Sequence, residues 1–171
     1  MDADFLLLRR MGQGDEGAIE EFVKKYYPML LRYCRLHLPE TGEAEDAVQE
    51  VFARFFATLP DYRHYGKAAN YLYVIAGNLC RDFRRKIRPI PMNELPEEPR
   101  EMTPALDRRM DVRLALSRLS PELRETAVLY FCQELPQRQI AAILGIGLPL
   151  VKYRVRRARE QLSLQLGKEE L

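Results

Sequence analysis

Five basic side chains, Lys152, Arg154, Arg156, Arg157 and Arg159, fall within eight residues of the stretch QRQIAAILGIGLPLVKYRVRRAR, residues 137–159. That density suits a polyanion, because lysine and arginine that neutralise phosphates release condensed counterions. A second group interleaves rings with cations: Tyr62, Tyr65, Tyr71, Tyr73 and Phe83 lie among Arg63, Lys67, Arg81, Arg84, Arg85 and Lys86. Stacking platforms beside a basic track are how single strands are held. Phe83 and Tyr71 lie near an apolar helical stripe, so part of this aromatic set belongs to a core. Bond-making chemistry leaves no comparable trace. Cys34, Cys80 and Cys132 form no CxxC pair, and only His37 and His64 could join them, which argues against a zinc site or a disulfide framework. There is no GxxxxGK phosphate loop and no serine or cysteine with a histidine base nearby in sequence. The expectation is a protein that is not an enzyme and that carries no cofactor and no metal.

The chain has 171 residues, 47% of them hydrophobic and 30% charged, enough for one ordinary domain or two small ones. No window approaches 18 uncharged apolar residues, and the acidic start, MDADFLLLRRMGQGD, has an apolar run too short for a signal peptide. A cytoplasmic protein without membrane insertion is expected. The net charge of +2 is unevenly spread. Residues 1–86 carry 13 basic and 13 acidic groups, 87–106 carry 2 and 4, and 107–171 carry 12 and 8. Positive charge collects toward the C-terminus, where the basic cluster lies.

These residues need helices to present them. In EDAVQEVFARFF, Ala44, Ala47, Val48, Val51, Phe52 and Phe55 follow the i, i+3, i+4, i+7 pattern of a core-facing stripe, which leaves Asp46, Gln49, Glu50 and Arg54 on the other side. IEEFVKKYYPMLLRYCRLHL turns Ile19, Phe22, Val23, Tyr26, Leu30, Tyr33, Cys34 and Leu38 inward, with a kink or break expected at Pro28. NYLYVIAGNLCRDFRRKIR stripes Leu72, Ile75, Ala76, Leu79 and Phe83. No alternating strand pattern is present, so the fold class is all-α. An N-terminal helical bundle (1–87) is joined by a proline-rich flexible linker (88–107) to a C-terminal helix-turn-helix domain (108–171). The span from Ile87 to Leu106 holds five prolines and four glutamates and could reach about 60 Å if extended, so the two modules need not touch. Ser120-Pro121-Glu122 is a helix start with a capping hydroxyl. In the last module Ile140, Ile143 and Leu144 form the buried face of a first helix, Gly145 ends it with positive φ, and Val151, Val155, Ala158, Leu162 and Leu166 stripe a second. Ala141, Gly145 and Val151 have the spacing of a helix-turn-helix. Placed in a major groove, that second helix turns Leu148, Pro149, Leu150 and Lys152 toward base edges, and Tyr153, Arg154, Arg156 and Arg157 toward phosphates or bases.

The segments EAEDAVQEVFARFF, NYLYVIAGNLCRDFRRK and LSPELRETAVLYFCQELPQRQIAAILGIGLPLVKYRVRRAREQL together resemble the extracytoplasmic-function sigma factors of bacteria, sigma-70 family subunits that retain regions 2 and 4 only. The resemblance implies a transcription initiation factor that brings core RNA polymerase to promoters and helps open them. It implies that Asp46, Gln49 and Glu50 dock on the β′ clamp helices, with the β flap as a further polymerase contact. It also implies that Tyr62, Tyr65, Asn78, Arg81, Arg84 and Arg85 touch the unpaired strand of the −10 element. Leu148, Leu150, Lys152, Tyr153, Arg154, Arg156 and Arg157 would then meet the −35 element. A free monomer and an anti-sigma partner also follow from the resemblance. The alternative is a stand-alone helix-turn-helix regulator that does not engage polymerase through its N-terminal module. Three features depart from the family pattern. Tyr71 stands where a tryptophan is common, and Pro136 and Gly147 stand where serine caps are expected.

Overall fold

The computed structural model describes residues 2–38, 41–86 and 104–167. Most of the expected linker, 88–107, lies outside the described residues. Within them every regular element is a helix: α1 (Ala3–Gly12), α2 (Glu16–His37), α3 (Thr41–Thr58), a 3-10 turn (Leu59–Asp61), α4 (Ala68–Lys86), α5 (Pro104–Ser117), α6 (Pro121–Ala127) running into a π turn (Val128–Cys132), α7 (Gln137–Leu144) and α8 (Leu148–Leu166). None of the described helices is long and apolar enough to cross a membrane.

Short polar side chains set the helix starts. Asp2 accepts from the Asp4 N–H, Asp15 accepts from the Ala18 N–H at 3.1 Å, and Ser120 accepts from the Leu123 N–H, each satisfying a donor that the first turn leaves without a partner. Arg124 does the corresponding work at a helix end. From α6 its guanidinium donates to the Leu116, Ser117 and Leu119 carbonyls at 2.8–3.0 Å, closing the C-terminus of α5.

Pro28 was expected to kink or break its helix, yet α2 runs unbroken from Glu16 to His37. Proline removes the bond to the carbonyl one turn earlier, and Pro28 lies on the exposed side, where water can take that carbonyl. The buried side of α2 carries the load: Phe22, Tyr26, Leu30, Tyr33, Cys34 and Leu38 pack against Ala44, Ala47, Val48, Val51 and Phe55 of α3 and Leu72, Ile75, Ala76 and Leu79 of α4. Phe22 and Phe55 stack with ring centroids 4.9 Å apart and planes 9° apart.

The second module is built from α5 to α8 around Leu116, Leu119, Ala127, Leu129, Ile140, Val151, Val155 and Leu162. It does not stand apart. The C-terminal helices pack on the N-terminal bundle, α7 against α4 and the π turn against α2, so the two cores form one continuous apolar cluster. Linker length permits separation; complementary side chains close the gap. Truncating Phe55→Ala should cost about 3–5 kcal/mol of stability through lost contacts and a residual cavity, read as a lowered midpoint in urea unfolding followed by circular dichroism.

Candidate nucleic-acid interface

The first surface is the helix-turn-helix. Helix α7 ends at Gly145, whose φ of 64° is left-handed, and the Ile146 N–H then donates back to the Ala141 carbonyl at 3.1 Å. This turn lets α8 cross α7 with Val151, Val155, Ala158 and Leu162 buried. Neither α7 nor α8 has a side-chain cap, since Pro136 and Gly147 occupy those places, and Pro149 supplies the preset φ of a first-turn residue instead. On the outer face Lys152, Arg156 and Arg157 are exposed, Leu150 and Tyr153 are 40% and 50% exposed, and Leu148 and Arg154 are half-buried. The Arg156 guanidinium lies 5.8 Å from the Tyr153 ring centre. Arg159 is drawn away, its guanidinium 5.5 Å from the Phe131 ring centre.

The second surface is an open groove of about 550 Å³ between the end of α3 and the start of α4, lined by Tyr62, Arg63, Tyr65, Lys67, Asn70 and Tyr71, with the Asp61 carboxylate among the other lining groups. Tyr65 stands 82% exposed. Tyr62 is half-buried, stacked on Tyr71 with centroids 5.5 Å apart and planes 25° apart, and edge-on to Phe55 at 5.3 Å. Burial raises the Tyr62 hydroxyl above its ordinary pKa, so the phenol stays neutral. Rings, amide and cations thus meet in one concave place, which suits bases that have left a duplex.

The six residues expected at the −10 strand do not all gather there. Tyr62 and Tyr65 do, whereas Asn78, Arg81, Arg84 and Arg85 lie farther along α4. Asn78 accepts from Arg81. Arg81, Arg84 and Arg85 line a separate cavity of about 240 Å³, together with His37, Arg124 and Glu125 among others. Asn70 was not among the residues singled out; the signal available was its position, polar and next to Tyr71 at the start of the basic, aromatic helix.

The third surface is the outer face of α3. Asp46, Gln49 and Glu50 are all exposed, opposite the buried Ala47, Val48 and Val51, and Glu50 accepts from Arg54 at 2.9 Å.

Between the modules the polar contacts are specific. Arg81 of α4 pairs with Glu125 of α6, and Gln139 of α7 donates to Asn70 of the groove at 2.9 Å. The Gln133 side-chain amide oxygen, Oε1, accepts from Arg32 and from the buried Tyr73 hydroxyl, both at 3.2 Å, and Arg113 donates to the Leu38 backbone carbonyl at 2.8 Å. Burial pushes the Tyr73 hydroxyl up to about 12. In this arrangement the C-terminal module occupies the Asn70 and Arg81 side chains of α4.

Next to these contacts lies His37, its carbonyl accepting from Arg84 at 2.8 Å. Burial, reinforced by the Arg84 and Arg81 charges, pulls its imidazole down to about 3, so it is neutral in the folded chain.

Residues 22–89 match the family described as Sigma-70 region 2, and residues 109–162 match Sigma-70, region 4. Across 169 residues the chain is 31% identical to the ECF RNA polymerase sigma factor SigE of Mycolicibacterium smegmatis, which covers 91% of this chain and 65% of that protein. It is 27% identical to the ECF sigma factor SigW of Bacillus subtilis, covering 93% and 94% of the two chains. Among solved structures it is similar to CnrH in complex with the cytosolic domain of CnrY, with a TM-score of 0.78, 27% identity and coverage of 95% and 96%. The fold is shared with the sigma factor RpoE bound to the anti-sigma factor NepR from Bartonella quintana, with a TM-score of 0.69, 21% identity and coverage of 88% and 97%. The helix-turn-helix, the α3 face and the aromatic groove therefore belong to a transcription initiation factor. The chain is a member of the sigma-70 family, of its extracytoplasmic-function group.

His37 also makes a pH prediction. A histidine whose pKa falls from 6.5 unfolded to about 3 folded favours the native state above pH 6.5 and loses that advantage as the pH drops toward 3. Between pH 7.5 and 5 the chain should lose about 2 kcal/mol of stability from this group. A His37→Leu variant, followed by urea unfolding at both pH values, should show a correspondingly smaller loss.

Proposed function

We propose that this chain works as a monomeric, non-catalytic sigma subunit that divides promoter recognition between its two modules. The α3 face, with Asp46, Gln49 and Glu50, docks on the β′ clamp helices of core RNA polymerase, and the β flap receives the C-terminal module. The α8 face, from Leu148 to Arg157, meets the −35 element in the major groove. Its arginines favour phosphates, while Leu148 and Leu150 offer apolar contact to thymine methyls and no donors, so base discrimination there is modest. The groove around Tyr62 and Tyr65 takes unpaired bases of the −10 element. Asn78, Arg81, Arg84 and Arg85 extend a basic track along α4 once the modules part.

The observation that carries this reading is the groove itself. Exposed Tyr65, stacked Tyr62 and Tyr71, and Arg63 and Lys67 line one open concavity. A regulator that reads only duplex DNA has no need for stacking platforms of this kind. CnrH and RpoE were solved with protein partners, the cytosolic domain of CnrY and the anti-sigma factor NepR. We propose an anti-sigma partner here too, one that favours the packed arrangement of the modules.

Two measurements test the reading. On gel filtration the chain should co-elute with sigma-free bacterial core RNA polymerase, and the D46A/Q49A/E50A variant should not. Co-elution of both would move the polymerase contact off these three residues, and co-elution of neither would turn the assignment toward a stand-alone helix-turn-helix regulator. Removing the side chains that the C-terminal module lays on α4, in an E125A/Q139A variant, should raise affinity for single-stranded DNA roughly 10-fold. The basis is that each charged or amide hydrogen bond lost from the packed form is worth about 1 kcal/mol or more. Fluorescence anisotropy with a labelled oligonucleotide reads the change, and unchanged affinity would mean that the packed form does not compete with DNA.

A further inference from the structure

Helix α1 lies before the span that matches region 2, and its attachment is unusually polar. Asp4 is a carboxylate only 3% exposed. It accepts from the Lys25 ammonium at 2.5 Å and from the Tyr26 hydroxyl at 2.5 Å, both on α2. Its pairing with a cation and a hydroxyl compensates the burial of the charge, and the bonds set where the start of α1 lies on the bundle. Burial and the Asp4 carboxylate hold the Tyr26 phenol well above its ordinary pKa, so it remains a donor.

From that anchored end Asp2 reaches across the fold. Its Oδ1 caps α1 by accepting from the Asp4 N–H at 3.2 Å, and its Oδ2 lies 3.1 Å from His64 Nε2. On the other side of the ring, His64 Nδ1 is 3.2 Å from the Tyr62 hydroxyl. The His64 side chain is 11% exposed, shielded enough for these bonds to hold it. A carboxylate can only accept, so Nε2 carries a proton; in the neutral ring Nδ1 then accepts from the Tyr62 O–H. Asp2 and Tyr62 bond the imidazole, and in turn the Lys25 charge acts on Asp2 while Asp4 and Tyr71 act on Tyr62. The chain of bonds ends on Tyr62, the ring stacked on Tyr71 in the groove. Other restraints there are few. Among the described residues, Tyr62 is the only one from 62 to 67 whose backbone N–H donates to a backbone carbonyl, that of Leu59 at 3.2 Å.

We propose that α1 is a positioning element for the strand groove, with Asp2 and His64 acting as a latch that holds the Tyr62 ring in its stacking orientation before DNA arrives. This rests on reading the groove as a single-strand site. The latch touches no phosphate and contributes no base contact. Its effect is to remove side-chain ordering from the cost of binding, so its loss weakens capture without changing how many cations meet the backbone.

The test uses the full chain and three variants, Asp2→Ser, His64→Ala and the double. Serine keeps the cap on α1 but is too short to reach the ring. The chain has only two histidines, so nitrogen-15 spectra of the imidazoles resolve His64 directly. Wild type should show a protonated Nε2 on His64, and Asp2→Ser should shift that nitrogen's resonance as its carboxylate acceptor is removed. Anisotropy with a fluorescein-labelled, random-sequence single-stranded 12-mer should show each single variant binding roughly 3- to 10-fold more weakly, the cost of ordering one side chain on binding. The double variant should be no weaker than His64→Ala, since the two residues act as one unit. The dependence of log affinity on log salt should keep its slope in all three. Unaltered affinity in the variants, additive losses, a changed salt slope, or an Nε2 without its proton in wild type would each overturn the latch and leave the groove reading standing. A wild type that leaves the 12-mer free would instead overturn the groove reading, and the latch with it.

Discussion

Helix α4 is claimed from two sides, and that constraint organises the molecule. One side carries Leu72, Ile75, Ala76 and Leu79 into the N-terminal core. Along the rest, Asn70, Tyr73 and Arg81 meet polar partners from the C-terminal module, while Asn78 accepts from Arg81 and Arg84 donates to the His37 carbonyl of α2. Tyr73 shows the consequence most directly: a ring at 2% exposure belongs to the core, while its hydroxyl must find an acceptor and finds Gln133. A helix that must be both core and contact surface for a second module has little sequence freedom left. The close passage of α2 tightens this further, since a Cβ at Gly77 would stand 3.2 Å from the Tyr33 hydroxyl.

Electrostatics separates the two ends of the chain. On α8 the exposed Lys152 and Arg156 face solvent, so long-range attraction to a phosphate backbone acts without prior rearrangement. On α4 two of the arginines are committed: Arg81 to Glu125, Arg84 to the His37 carbonyl. Burial lowers the Arg84 pKa, the mark of a cation held partly out of water without a carboxylate of its own. One module therefore presents its charge on an open helix face, whereas in the other Arg81 is paired across the modules and Arg63, Lys67 and Arg85 remain exposed.

Much of this was legible in the residues. The stripes of α2, α3, α4 and α8 emerge from apolar spacing alone, because a helix must bury one face whatever it packs against. Ser120 as a cap and Gly145 as the left-handed turn follow from local backbone chemistry. The continuity of α2 through Pro28 was not legible, since it depends on which side of the helix faces water. Helix α1 also escaped: its leucines read as a short apolar run, and the bonds that make it matter join residues as far apart as Asp2 and His64.

The aromatic and basic composition of residues 62–86 pointed to single-strand chemistry, but composition does not say which rings share a concavity. The fold gathers Tyr62, Tyr65 and Tyr71 in one groove and leaves Arg81, Arg84 and Arg85 in another place. By itself the sequence determined the inward faces of α2, α3, α4 and α8, the helix-turn-helix and the family, all of which rest on interactions within a few turns of chain or on motif spacing. Only the tertiary structure decided that the two modules pack together, which α4 side chains are occupied and what holds Tyr62. Those outcomes depend on contacts between segments separated by tens of residues, whose meeting no local periodicity encodes.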